Sequence, residues 1–547
     1  MKALIVDGYV DEPALLGVPP YVSTYPRYVA GIFHMVGIET RYVIIDTIRK
    51  EKSWDMGNEY DFLIVIAGLS VPGRYRGGTP ITLLEVRKIL DCNTRPSKIL
   101  LGPIVWGYAL KGGQKAIKVH FPDIQLALVG RNFRKLFEYL TGKVFEGDEY
   151  ELIDEAAPLG AEIVKQHPDY PLVICEVELS RGCERRDGFC SFCMEPILWG
   201  KPKHRSVKGV IKEASALMKH GVKAFRLGRS ANILAYGEKN GVPQPEILEE
   251  LFSGISSLNP QVLHCDNANP HYLVLHRQRT LRILETIVRH NTPGDVLSFG
   301  VESFDEEVIR RNNIQSSPEE VIEAIRIVNE VGGKRVDGVP KLLPGINLLF
   351  GLPGESRRTY DINFTYLRKI LDENLLIRRV NIRKVMVFPS TPLHKMLEES
   401  DTSIDQRKFK NFKMRVREEI DLPMMRRVFP TGSVLRNVVV ERKEGLLTTG
   451  RQLASYPVLV KIAGWKEKDG KIVDVKIVDH SARSVMGIIE GRSLNTAEFE
   501  EIKAVPGVGK KRAQRLILAR PFKDWSEVEK LIDDRYVYKR LRDVFAL

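Results

Sequence analysis

Cysteine is scarce in this 547-residue chain, with six in all. Six cysteines cannot staple a chain of this length as a disulfide framework. Three of them, Cys183, Cys190 and Cys193, crowd into one short stretch, a distribution that points to metal binding. Long apolar runs are also lacking: none approaches the roughly 20 residues of a bilayer-spanning helix, so no membrane is expected among the partners. The N-terminus has no basic lead-in, apolar core and cleavage site. Met1-Lys2-Ala3-Leu4-Ile5-Val6-Asp7 reads as a strand that begins at once, and the expected location is cytoplasmic. There is no long internal repeat and no low-complexity tract, which leaves about three or four ordinary folded units at this length. Acid is in deficit, 70 Asp and Glu against 83 Lys and Arg, for a net charge of +13. That balance suits a polyanionic partner, with general solubility as the plainer account. The excess is local: residues 502–547 carry twelve Lys or Arg against six acids, and residues 407–443 carry eleven against four.

What is present is an orderly alternation. Over residues 1–155, apolar runs at 3–6, 42–45, 62–67, 98–101 and 126–129 alternate with helical patterns at 25–36, 81–90 and 132–140. This predicts a doubly wound parallel sheet of α/β class, with a ligand edge at Asp7-Gly8, Gly68-Leu69-Ser70 and Gly102-Pro103. A polar, Pro-containing stretch at 154–171 reads as the join to a second unit, residues 170–395. Six further strand candidates follow there, at 172–179, 224–227, 262–265, 296–301, 345–350 and 379–387, and predict a partial (β/α) barrel with its chemistry at the carboxyl ends of the strands. Residues 432–478 alternate in period two, with turns at 443–445 and 468–470, and predict a small antiparallel β-barrel within 430–490. The remainder, 496–547, reads as helical.

The three cysteines lie in Glu-Leu-Ser-Arg-Gly-Cys-Glu-Arg-Arg-Asp-Gly-Phe-Cys-Ser-Phe-Cys, just beyond the first barrel strand, with spacing C-x6-C-x2-C. Three thiolates can hold three irons of a cubane and leave the fourth iron open. Zinc is the alternative. A structural zinc site wants four ligands, and Cys175, within a strand, and His204 are the residues on offer as the fourth.

This stretch resembles the cluster loop of the radical S-adenosylmethionine superfamily, whose usual spacing is C-x3-C-x2-C; here the first gap carries three extra residues. Gly200-Lys201-Pro202-Lys203-His204-Arg205-Ser206, Ser298-Phe299-Gly300-Val301-Glu302-Ser303, Arg311-Asn312-Asn313, Gly351-Leu352-Pro353-Gly354-Glu355 and Phe388-Pro389-Ser390-Thr391-Pro392-Leu393 follow in the order found in its methylthiotransferase and elongator-like branch. The resemblance implies a 4Fe-4S cluster on Cys183, Cys190 and Cys193, S-adenosylmethionine on the open iron, reductive cleavage to a 5′-deoxyadenosyl radical, and an electron donor such as ferredoxin or flavodoxin. It implies cofactor-side positions at Phe192, Gly228, Arg229, Asn267, Glu302, Ser303, Arg311, Gly351 and Gly354, with Asn269 beside them. For each polar residue the alternative is a solvated or salt-bridged side chain at a strand end.

The flanking units bear on the substrate. Residues 1–155 are similar to the cobalamin-binding-type domain that precedes many radical enzymes. The histidine signature D-x-H-x-x-G is incomplete, since Ile32 stands in the aspartate position before His34 and Gly37. Cobalamin stays a candidate second cofactor, and the loop 70–80 either accepts a nucleotide tail or phosphate or caps the barrel. Methylthiotransferases carry three more cysteines in their front domain, whereas only Cys92 precedes Cys175 here, so sulfur insertion by that route is not expected. Residues 432–486 look like a TRAM-type barrel, with 450–453 and the basic lead-in from Arg407 as its RNA contacts. Residues 502–513 resemble a helix-hairpin-helix, with Gly507, Gly509, Lys510, Lys511, Arg512 and Arg515 as the nucleic-acid contacts. The leading expectation is a radical enzyme acting on nucleic acid, tRNA before DNA, by hydrogen abstraction and carbon-centred modification, including methylation where cobalamin binds. Two others stand beside it: a radical enzyme acting on a small cofactor precursor or a protein, and a nucleic-acid-binding protein with a structural cluster.

Overall fold

The computed structural model describes residues 1–10, 18–68, 78–109, 112–130, 132–397, 404–445, 447–465 and 470–547. Five short apolar strands, β1 (Lys2–Asp7), β2 (Glu39–Ile44), β3 (Phe62–Ile66), β4 (Ser97–Leu101) and β5 (Leu126–Leu128), form an all-parallel sheet in the order β2-β1-β3-β4-β5. Ala3, Leu4, Ile5 and Val6 are all fully buried, as in a sheet covered on both faces. Helices α1 (Thr24–Met35) and α2 (Glu149–Leu159) pack against each other on this sheet. Their close crossing needs a glycine, because any side chain at Gly31 would overlap the Ala156 carbonyl. Residues 154–171, expected as a join, begin inside α2. That helix is opened by a capping box from Asp148 and Glu151 and buries Leu152, Ile153, Ala156 and Ala157. Asp154 looks solvent-seeking in sequence because its partner is remote: Arg205 Nε donates to it at 2.8 Å.

The barrel strands are β6 (Ile174–Glu178), β7 (Ala224–Gly228), β8 (Val262–His264), β9 (Asn267–Ala268), β10 (Asp295–Glu302), β11 (Leu342–Phe350) and β12 (Arg379–Lys384). They pair in parallel as β8-β7-β6 and β9-β10-β11-β12. β8 and β9 are two halves of one strand interrupted at Cys265-Asp266, so the six-stranded arc expected from the sequence is present. Val177, Leu227, Ile346, Leu348, Val380 and Ile382 pack into the core beneath the helices. The alternate positions of the same strands face the lumen and are polar: Glu176, Arg226, Ser298, Asn347 and Asn381. Arg226 pairs there with both Glu176 and Asp266.

The N-terminal unit runs along both edges of this open arc. Tyr21–Val22 adds to β6 in parallel, and Gly113 N and Ala116 N donate to Val385 O (2.6 Å) and Val387 O (2.7 Å) just past β12. A buried chain of charges fixes the join: Glu213, on the helix α3 (Val207–Lys219), accepts from Arg27 Nη2 at 2.8 Å and Arg205 Nη1 at 2.5 Å.

The third sheet is a closed barrel, β13 (Val434–Glu444), β14 (Leu447–Gln452), β15 (Leu459–Ala463), β16 (Ile472–His480) and β17 (Ser484–Ile489), in the order β13-β14-β15-β17-β16. Its β15/β17 pair is parallel, so the barrel is not the purely antiparallel one expected. The turn expected at 468–470 falls largely outside the described residues. The β14–β15 connection enters the amino end of the large barrel. Leu453 packs with Tyr21, Ile174, Ala224 and Val262 at the strand starts, and Tyr456 Oη shares a hydrogen bond with Ser298 Oγ at 2.9 Å. Residues 450–453, expected to meet RNA, are thus a docking surface: Gln452 and Leu453 are buried and Arg451 pairs with Glu441 at 3.2 Å. Helices α4 (Phe499–Lys503), α5 (Gly509–Leu518), α6 (Trp525–Leu531) and α7 (Arg535–Val544) close the chain and pack Ile502, Leu516 and Leu541 on Ala463, Val478 and Ile488 of the small barrel. No helix of the described residues is long and apolar enough to cross a membrane.

Candidate active site

Past β6, Ser180–Arg181 pairs with Lys203–His204, and the cysteine loop lies between them. Its neck is narrow. Gly182 has φ +95° with the Lys201 carbonyl where a side chain would begin, Gly182 N donates to Glu195 Oε1 at 2.9 Å, and Cys183 N donates to Gly200 O at 3.2 Å. Cys193 N closes a tight turn onto Cys190 O at 3.1 Å. Burial pushes the Cys183 thiol up to about 12 and Cys190 up to about 11, and Cys193 well above the usual range. The thiols also act on one another: the charges of Cys190 and Cys183 raise Cys193 further, and that of Cys190 raises Cys183. Among the described residues no three Cys, His, Asp or Glu side chains converge closely enough to hold a single ion. Three thiolates leave a tetrahedral zinc site one ligand short, whereas the sulfurs of a cubane each take a different iron, and the donor set fits the latter. Cys175 packs in the apolar core and the His204 ring stands edge-on to Tyr236, 5.7 Å between centroids; neither completes a four-ligand set.

A clamp holds the loop in place. Ser191 Oγ donates to Asn312 Oδ1 at 2.7 Å, and Asn312 Nδ2 donates to Pro353 O at 2.8 Å and Val308 O at 2.9 Å. Asn313 Nδ2 donates to Phe189 O at 3.1 Å, and Leu393 N to Ser191 O at 2.9 Å. Phe192 packs among Val308, Leu352, Val385 and Leu393. Arg185, one of the residues in the lengthened gap, donates to Asn313 O at 2.5 Å and lies 3.4 Å from Cys190 Sγ. The Arg-Asn-Asn, Gly-Leu-Pro-Gly and Thr-Pro-Leu segments therefore meet at the cluster loop.

Several of the expected cofactor-side positions serve this scaffold. Arg311 is half exposed and paired with Glu307 on its own helix, because the short helix turns it outward. The Glu176 carboxylate lies where a side chain at Gly228 would begin. Arg229, in the left-handed region at φ +55°, is buried over the Trp199 ring (5.1 Å) and donates to Glu195 Oε2 at 3.3 Å, bracing the loop. The Ser303 hydroxyl accepts from Asp305 N at 3.1 Å and donates to Asn363, fixing the turn before the next helix. Gly351 and Gly354 have φ near +90°, but Ile404 and the Glu307 carbonyl occupy the sides left open by their missing side chains. Phe192 is a packing anchor.

Glu302 and Asn267 remain at the strand ends facing the lumen. A β-bulge between Gly300 and Glu302 aims the Glu302 side chain, at φ +59°. Burial pushes its carboxyl up to about 7 against the pull of Arg383, and its charge reaches Cys190. Asn267 Nδ2 lies 3.5 Å from Ser230 O. Gly300, lumen-facing and exposed within a strand, leaves room for close approach. Sequence reasoning missed Glu184, which accepts from Asn232 Nδ2 (3.0 Å) and Asn269 Nδ2 (3.1 Å), and missed Arg383 and the Asn312 clamp. The adjacent asparagines after a short helix were the one available signal.

At the front unit, His34 bonds Leu159 O (3.0 Å) and Thr40 Oγ1 (2.9 Å), a tie between elements. Ile81 covers Gly8 at the β1 edge, its N donating to Gly8 O at 2.9 Å; Leu69, Ser70 and most of the loop 70–80 lie outside the described residues. In the tail, Gly507 and Gly509 have φ of +90° and +61° and turn the chain into α5, whose first residues Gly509, Lys510 and Lys511 are exposed. Arg512 instead donates to Gly507 O at 2.6 Å and pairs with Asp533, and Arg515 donates to Leu531 O at 3.1 Å, so both guanidiniums tie the hairpin together.

Comparison with known proteins accords with this geometry. The Radical SAM superfamily profile matches residues 177–362, from β6 into the helix after β11. An uncharacterised protein of Methanocaldococcus jannaschii is 43% identical over 508 residues, covering 89% of this chain and 93% of its own. A tRNA-2-methylthio-N(6)-dimethylallyladenosine synthase of Pelotomaculum thermopropionicum is 24% identical over 69% of this chain and 79% of its own. A ribosomal protein uS12 methylthiotransferase of Desulfotalea psychrophila is 21% identical over 83% and 98%. With its three gathered thiols at the carboxyl end of a parallel (β/α) arc, the chain is an enzyme of the radical S-adenosylmethionine superfamily, whose members use a 4Fe-4S cluster and S-adenosylmethionine.

Proposed function

We propose that this enzyme modifies RNA, with tRNA favoured over DNA, in the cytoplasm. Cys183, Cys190 and Cys193 hold the cluster, and Glu302 and Asn267 contact S-adenosylmethionine at the lumen mouth. A cluster held there would supply the single electron for reductive cleavage of S-adenosylmethionine, and so hydrogen-abstraction chemistry at a substrate carbon. The chain's own part is positioning: the Asn312 clamp fixes the loop, and the polar lumen, floored by Tyr456, receives a hydrogen-bonding substrate. Residues 1–155, 170–395, 430–490 and 496–547 act as a cobalamin-binding-like front unit, the radical barrel, a TRAM-like barrel and a helix-hairpin-helix. The observation that carries the reading is the exposed Lys510-Lys511 start of α5 in the same chain as the cysteine loop. Free N–H groups at such a helix start suit a backbone phosphate.

Anaerobic reconstitution should yield four irons per chain, lost in Cys190→Ser, and bulk tRNA with S-adenosylmethionine and reductant should yield 5′-deoxyadenosine. Mass spectrometry of nucleosides from cells with and without the protein should then reveal one changed nucleoside; identical profiles would rule RNA out. A protein side chain is the second reading, favoured by the ribosomal-protein enzyme matched over 98% of its length. Ribosomes in place of tRNA decide it. Cobalamin as second cofactor is tested by corrinoid absorbance that co-purifies with the full chain.

A further inference from the structure

At the amino end of the large barrel, away from the cysteines, a cavity of ≈ 70 Å³ opens where β12, the helical segment after it and the small barrel meet. That is room for a few waters or one tetrahedral oxyanion. Its walls include Arg378, Arg379, Arg417 and Arg483, with Asp421 as the one carboxylate among the described residues. Arg417 pairs with Asp421 and donates to Val380 O at 3.2 Å. Arg378 Nη2 donates to Tyr456 O at 2.9 Å, and Arg379 lies 4.6 Å over the Tyr456 ring. After these contacts the Nε atoms of both Arg378 and Arg379 are buried without a hydrogen-bond partner. Burial, with Arg379 and Arg483 close by, holds the Arg378 guanidinium down to about 9, and burial together with Arg417 and Arg483 depresses Lys413. Arg378, Arg379 and Arg417 beside Asp421, with two buried Nε atoms unpartnered, are a standing cost that a bound anion would lower. The π-helical turn Arg417–Asp421 widens the helix here and brings Arg417 and Asp421 to the cavity wall; such turns recur at functional sites.

We propose that this cavity is an oxyanion site that binds a phosphate group, separate from the cluster face. Planar guanidinium forks match the oxygens of phosphate two at a time, and the exposed Arg483 forms the rim by which it enters. A phosphate there links the last barrel strand, the π-helical turn and the small barrel. Its source is either an RNA backbone or free phosphate.

The test uses the full chain, without RNA, titrated with inorganic phosphate at constant ionic strength against chloride. Phosphate should raise the unfolding midpoint saturably while chloride does not. Arg483→Gln, an exposed position, and Arg417→Gln should each weaken phosphate binding about tenfold, the loss of one charge-assisted contact. A midpoint that rises equally with chloride, or a phosphate response unchanged in both variants, overturns the proposal. Bulk tRNA then separates the sources. Competition by phosphate that disappears in Arg483→Gln assigns the site to RNA backbone, and tRNA affinity indifferent to phosphate assigns it to free phosphate. The phosphate titration contains no RNA, so its failure is distinct from failure of the RNA reading.

Discussion

Asn312→Ala tests whether the cluster loop is held from outside itself. Asn312 is fully buried, and its side chain accepts from Ser191 Oγ at 2.7 Å and donates to Pro353 O and Val308 O at 2.8 and 2.9 Å. Truncation removes all three bonds. It orphans the Ser191 hydroxyl and leaves Pro353 O short of a donor, while Val308 O keeps its helical bond from Asn312 N. At about 1 kcal/mol net per bond the loss is about 3 kcal/mol, one bond crossing to the loop and two holding together the wall that receives it. If loop opening precedes iron loss and the wall gives way with the loop, release should be faster by roughly 100-fold, since each 1.4 kcal/mol is tenfold. Ser191→Ala removes one of the bonds, about 1 kcal/mol, and should speed release about fivefold. Anaerobic iron transfer to a chromogenic chelator, followed in time on reconstituted protein, measures both. The main-chain bond Ser191 N to Asn312 O persists in both variants, so far-ultraviolet circular dichroism should stay at the wild-type level. Wild-type release from Asn312→Ala would refute the clamp, and so would equal rates in the two variants.

Asp7 supplies a pH test remote from the cysteines. Burial raises its carboxyl from 3.8 to about 6 despite bonds from Tyr9 N and the Tyr42 hydroxyl. The folded chain therefore keeps a proton that the unfolded chain releases, and stability falls as pH rises from about 4 to 6, by at most ~3 kcal/mol. Asp7→Asn should flatten that window and raise stability at pH 7.5, measured by urea midpoints; an unchanged pH profile would refute it. Gly31→Ala should cost about 3 kcal/mol or more, or prevent folding, because the methyl meets the Ala156 carbonyl; a wild-type melting midpoint would mean that α1 and α2 pack otherwise. Tyr456→Phe keeps the ring and loses the Ser298 bond, so about 1 kcal/mol should go with little change in m; no loss would place the tyrosine outside the lumen.

What was legible in the sequence was local. The parallel sheets follow from short apolar runs at regular intervals, and the cysteine loop from spacing within sixteen residues. The site's supports were not legible, because each is a contact over a long sequence separation. Ser191 meets Asn312 121 positions later, and Arg185 meets Asn313 128 later. Arg311 differs, because its partner is local. Its neighbours in the motif carry the clamp, while the helix turns it outward to Glu307. Asp154 opens the polar stretch expected as a join, yet it receives Arg205, and Glu213 receives Arg27, each from another element. Composition marks a polar residue as exposed by default, and only a distant partner overturns that default.

The docking of the small barrel sets a geometric condition on any RNA. The tail packs on that barrel, and the barrel closes the amino end of the large one, whereas the cysteines lie past the carboxyl end. The nine residues of β11 alone span about 30 Å, and the tail and the cluster loop lie toward opposite ends of such strands. An RNA that meets both must reach about one helical turn along its flank, which a folded RNA does and a short oligonucleotide does not. Lys510→Ala with Lys511→Ala should therefore lower bulk-tRNA affinity and flatten its salt dependence by about one unit of slope per lysine. Turnover of a short fragment that carries the target nucleotide should stay near wild type, because such a fragment meets only the lumen. Equal loss on tRNA and fragment would place the lysines beside the reacting face and refute this layout; an unchanged salt slope on tRNA would remove them from the interface altogether.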